Sequence, residues 1–148
     1  MPRQGGLRAV MLALRFVAAA AETGDGACFD AAFAEAEAAF GDRDGALLVA
    51  RAAALVRAAR RDGVALAVLP PGCRALSCDE AGLLAVLRNR GGSLAAIAEP
   101  CRLAGSHAVA GALADLAAAL DDAGAAAFDG ADWTRSELER SQFPLILS

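Results

Sequence analysis

The 148-residue sequence predicts a mainly α protein, a compact bundle of about five helices, whose one β element would be a minor two-stranded parallel βαβ unit (Val64–Leu69 and Leu94–Ala98). Apolar residues recur at intervals of three and four along most of the chain. The sequence is 57% hydrophobic, and much of that is alanine, the best helix former. One run, Val64 to Leu69, alternates with period two between Gly63 and the Pro70-Pro71 stop. Alanine buries little area, so the mean hydropathy of +0.42 overstates the hydrophobic drive, and leucine, valine and phenylalanine must carry the packing. On this reading residues 1–122 are a single helical domain, and 123–148 are a linker, a short helix and an apolar C-terminal tail.

Leu7, Val10, Met11, Leu14 and Val17 share one helical face, with Arg8 and Arg15 together on another, which predicts an amphipathic first helix over Leu7–Ala21. Arg3 and Arg8 ahead of an apolar segment, with Ala19 to Ala21 after it, imitate a secretion signal. Arg15 interrupts that segment, leaving runs too short for a membrane span. Gly24-Asp25-Gly26 turns the chain. Phe29, Phe33, Ala36 and Phe40 then form the stripe of a second helix and are read as core. Gly41 to Gly45 reads as a second turn, followed by a third helix over Ala46–Arg61 with Leu48, Ala52, Leu55, Val56 and Ala59 on its buried side.

Ser77-Cys78-Asp79-Glu80 has capping-box spacing and starts a fourth helix at Cys78, buried through Leu83, Leu84 and Leu87 and ending around Arg88-Asn89-Arg90 before Gly91-Gly92. Ser93 to Ala98 reads either as a short helix capped by Ser93 or as a second strand parallel to Val64–Leu69. Ser106 caps a fifth helix carrying Val109, Leu113, Leu116 and Leu120 and ending at Asp121-Asp122. Thr134 to Glu137 repeats the capping-box spacing, and Phe143-Pro144-Leu145-Ile146-Leu147 is an apolar tail.

The chain has no lysine, no tyrosine and one histidine, which excludes Schiff-base lysines, phosphate-loop lysines and multi-histidine metal centres. No Gly-x-Ser-x-Gly elbow or dinucleotide fingerprint occurs. A net charge of -4 argues against nucleic acid as a partner. Four cysteines in an alanine-rich helical chain read as reduced thiols, which predicts a cytoplasmic location.

Three candidate sites remain. Cys73, Cys78, Cys101 and His107 have the outline of two ligand pairs, Cys-x4-Cys and Cys-x5-His, loosely within zinc spacing. The competing reading is that the cysteines are small packing residues and His107 is solvated. Cys78 in the first turn of a helix could also serve as a nucleophile or redox thiol. Arg57, Arg60 and Arg61, clustered in the last turn of the third helix, read either as an anion patch or as compensation of the helix dipole. Phe143, Leu145, Ile146 and Leu147 are candidates for a protein partner or self-association.

Pro71-Gly72-Cys73, Ser77, Asp79-Glu80-Ala81 and Leu83-Leu84 resemble the cysteine-bearing loop and helix start of an uncharacterised family of small alphaproteobacterial helical proteins. The resemblance implies a shared fold unit and no activity. The residues predict a non-enzymatic helical interaction or structural protein, the alternative being a thiol- or zinc-dependent protein that uses the Cys73/Cys78 loop.

Overall fold

The computed structural model describes residues 6–88 and 106–123. Five helices pack together within them: α1 (Gly6–Thr23), α2 (Gly26–Phe40), α3 (Asp42–Arg61), α4 (Cys78–Arg88) and α5 (His107–Asp122). Helix α1 packs on α2 and α3, α2 on α3, and α3 on α5, while α4 touches α5 and α1. The apolar stripes predicted for α1, α3, α4 and α5 are all buried, from Leu7 through Leu55 and Leu84 to Leu120, in one core. No helix among the described residues is long and apolar enough to cross a membrane.

Local chemistry fixes the helix ends. Asp25 accepts from the Ala27 amide at the start of α2 (2.9 Å), and Ser106 accepts from the Val109 amide at the start of α5 (3.1 Å). Helix α3 ends in a Schellman arrangement, in which the Val64 amide donates to the Ala59 carbonyl (2.8 Å) and the Gly63 amide to the Arg60 carbonyl (3.3 Å). These two bonds satisfy carbonyls that the helix itself cannot.

The second turn is tighter than the sequence predicts. Gly41, at φ 88°, reverses the chain alone, and Asp42 to Gly45 already form the first turn of α3 rather than a loop. Asp42 and Asp44 thereby face the positive end of that helix. Gly45 lies at the crossing with α2, where a Cβ would come 2.6 Å from the backbone nitrogen of Glu37. Two glycines in this stretch looked like loop residues, but one is a contact requirement.

Two further expectations are corrected. Phe29 was read as core and is 38% exposed, while Phe33 is half-buried and Phe40 buried, so the phenylalanine stripe emerges from the core toward the N-terminus of α2. Val64–Leu69 forms no strand and belongs to no sheet among the described residues, and the Leu66 amide turns back onto the Val64 carbonyl (2.9 Å). Its amides go elsewhere: Ala67 donates to the Asp79 carboxylate (2.7 Å) and Leu69 to the Glu80 carboxylate (3.1 Å). Side chains at the start of α4 thus take the place of a neighbouring strand on that edge. Leu94–Ala98, the other half of the expected βαβ unit, lies outside the described residues.

Candidate functional site

Arg15 lies off the apolar stripe of α1 but is only 2% exposed, because it reaches into the loop between α3 and α4. Its guanidinium makes five hydrogen bonds, matching its five donors. Two of these form a bidentate ion pair with Glu80, from Nε to Oε2 (2.8 Å) and from Nη2 to Oε1 (3.0 Å). The others go to the carbonyls of Cys73 (2.6 Å), Ala75 (2.7 Å) and Pro70 (3.4 Å). Glu80 is fully buried and also accepts from the Ser77 amide (2.9 Å), while Ser77 Oγ accepts from the Glu80 amide (3.1 Å), which completes the capping box. The Ser77 hydroxyl donates in turn to the Ala67 carbonyl.

This network holds a loop that has no regular structure of its own. The turn Pro70–Cys73 is closed by the Cys73 amide on the Pro70 carbonyl (3.0 Å), and the arginine below it collects the carbonyls that point inward. A buried charge pair is tolerated only when each partner's remaining donors and acceptors are filled, as they are here. The ring of contacts acts as scaffold. Arg15 and Glu80 have no spare valence for a substrate.

Above the arginine lies a hollow of about 320 Å³ lined by Arg8, Met11, Leu12, Arg15, Pro71, Gly72, Cys73 and Arg74. Cys73 is half-buried there. Cys78 is exposed at the first position of α4, and His107 is exposed at the first position of α5. Cys101 lies outside the described residues, as do Phe143, Leu145, Ile146 and Leu147. Among the described residues no group of three or more histidine, cysteine or acidic side chains is gathered as a metal site. Cys28, half-buried on α2, belongs to none of the predicted sites.

The arginine cluster has a definite setting. Arg57, Arg60 and Arg61 are exposed and line one side of a groove of about 480 Å³ whose apolar wall is Val17 and Ala21 of α1, Phe29 of α2, and Ala53 and Val56 of α3. None of the three arginines has an ion-pair partner among the described residues. Cations at the end of α3 do compensate its dipole, but that alone does not account for an apolar groove with an exposed phenylalanine beside them. The sequence singled out the arginines and missed Phe29 as part of the same surface. The available signal was its position four residues after the helix cap, at the unprotected end of the stripe. No known protein family, curated protein or solved structure matches this chain.

Proposed function

We propose that the protein is a non-enzymatic helical interaction module whose docking face is the groove between α1, α2 and α3. One observation carries this reading: an apolar groove holding a 38% exposed phenylalanine is bordered by three arginines without partners among the described residues. Such a surface suits an apolar protein segment that bears carboxylates, because the groove removes its apolar side chains from water while the guanidiniums select its charge. The buried Arg15–Glu80 pair supports a scaffolding role for the most polar region of the interior.

The test uses a labelled amphipathic helical peptide with leucines at i, i+3, i+4 and i+7 flanked by glutamates, beside the same peptide with lysines in place of the glutamates. The acidic peptide is expected to bind the full chain at about 10 to 100 μM and to lose binding to R57E/R60E. The lysine peptide is expected not to bind. Equal binding of both peptides, or of neither, overturns the reading.

A second reading, a thiol- or zinc-dependent protein using the Cys73/Cys78 loop, is favoured by the opening of the half-buried Cys73 onto a hollow with Arg8 and Arg74. Elemental analysis of protein purified without chelator tests its zinc half. Absence of stoichiometric zinc together with unchanged melting in EDTA would end it, because structural zinc is coupled to folding.

A further inference from the structure

We infer that the segment seated in the groove is the same end of a second copy of this chain, giving a two-fold symmetric dimer. This rests on the docking role assigned to the groove above. The chain reverses at Gly24-Asp25 and again at Gly41, so the end of α1, the start of α2 and the end of α3 lie together. That end carries the three arginines and also exposed carboxylates: Glu22 in the last turn of α1, Asp25 at the cap of α2 and Asp30 next to Phe29, besides Asp62 at the end of α3, which accepts from the Ser106 hydroxyl. Glu22 shares a neighbouring hollow with Arg60, yet neither Glu22 nor Asp30 is paired with an arginine among the described residues.

One surface therefore presents cations, an exposed aromatic and anions, with none of these charges in an ion pair among the described residues. A two-fold interface sets a patch against its own rotated copy, so that residue i meets j while j meets i. Under that operation the arginines of each copy face the carboxylates of the other, and the two Phe29 side chains enter the facing grooves near the axis. A foreign acidic segment would satisfy the arginines and leave Glu22 and Asp30 without cations. A second copy supplies both signs. The patch is confined to one end of three helices, so the dimer is expected to be reversible, with a dissociation constant of about 10 to 100 μM.

Sedimentation velocity of the full chain over a concentration series tests this. The expected result is a monomer–dimer equilibrium weakened at least about tenfold by Phe29→Glu, by R57E/R60E and by E22R/D30R. Mixing the two charge-reversed chains is expected to restore dimerisation as a heterodimer, an outcome that misfolding of either chain could not produce. The idea is overturned by a chain that stays monomeric at every concentration, by a dimer indifferent to these substitutions, or by a dimer that disappears when residues 143–148 are removed. A monomer that still binds the acidic peptide through Arg57 and Arg60 would sink the dimer alone and leave the docking role standing. Failure of both experiments would remove both.

Discussion

Arg15 of α1 and Glu80 of α4, 65 residues apart, meet in a bidentate ion pair whose side chains are 1% and 0% exposed. Removing either partner leaves the other charged, buried and alone. Arg15→Met or Glu80→Gln is therefore expected to cost about 3 to 5 kcal/mol, read by urea denaturation. The double replacement by methionine is expected to recover part of that loss and still fall short of the parent. Hydrophobic side chains can fill the space but leave the carbonyls of Cys73 and Ala75 and the amides of Leu69 and Ser77 without their partners. A double mutant as stable as the parent would show that the loop does not depend on this pair.

Two glycines in helices should respond oppositely to the same change. Gly45→Ala forces a Cβ against the backbone of Glu37 and is expected to destabilise by about 1 to 3 kcal/mol. Gly111→Ala, in α5, meets nothing within 4 Å and is expected to stabilise by about 1 kcal/mol through helix propensity. Thermal melts of the two variants give the signs directly. A neutral Gly45→Ala would mean that α2 and α3 can move apart without loss.

The two serine caps are not equivalent. Ser106→Ala removes one cap and the hydrogen bond from its buried hydroxyl to the Asp62 carboxylate (2.6 Å), an exposed acceptor that water can serve instead, and is expected to cost about 1 kcal/mol. Ser77 is 1% exposed, and its hydroxyl also serves the Ala67 carbonyl, so Ser77→Ala is expected to cost about 2 kcal/mol or more. Equal losses in denaturation would indicate that the bond to Ala67 contributes nothing.

Much of this architecture was legible because it is local. The capping box at Ser77, the cap at Ser106 and the apolar stripes of α1, α3, α4 and α5 depend on residues within a few positions of each other, where side-chain spacing and backbone geometry are linked directly. Arg15 was not legible in the same way. Periodicity places it off the apolar stripe and so suggests solvent, but it cannot say what a neighbouring loop will bring to that face. The alternation of Val64, Leu66 and Val68 pointed to a strand that the chain does not form, because period two does not supply a partner, and carboxylates at a helix start filled the place of one. Of the arginine groove only the cations showed in the sequence, because its apolar wall comes from three separate helices.

Cys73 in the α3–α4 loop and Cys78 at the start of α4 offer a readout of the clasp beneath them. Maleimide labelling followed by peptide mapping is expected to modify the exposed Cys78 before the half-buried Cys73. In Arg15→Met, which releases the Cys73 carbonyl, the labelling of Cys73 is expected to accelerate more than that of Cys28 on α2. Parallel acceleration of both would point to global unfolding in place of local release.

The long separation between Arg15 and Glu80 also sets an order of events as the chain is made. Helices α1, α2 and α3 are joined by one or two residues and can pair as soon as they leave the ribosome, since their contacts close short loops. Throughout that interval Arg15 has neither its carboxylate nor the carbonyls of residues 70, 73 and 75. Its side of the nascent bundle must stay hydrated until α4 has been synthesised, so the last helix to begin before residue 80 acts as a checkpoint on whether the first is buried. A fragment ending at Arg61 is accordingly expected to show helix by circular dichroism but rapid amide exchange around Arg15, whereas extending it through Arg88 is expected to protect both.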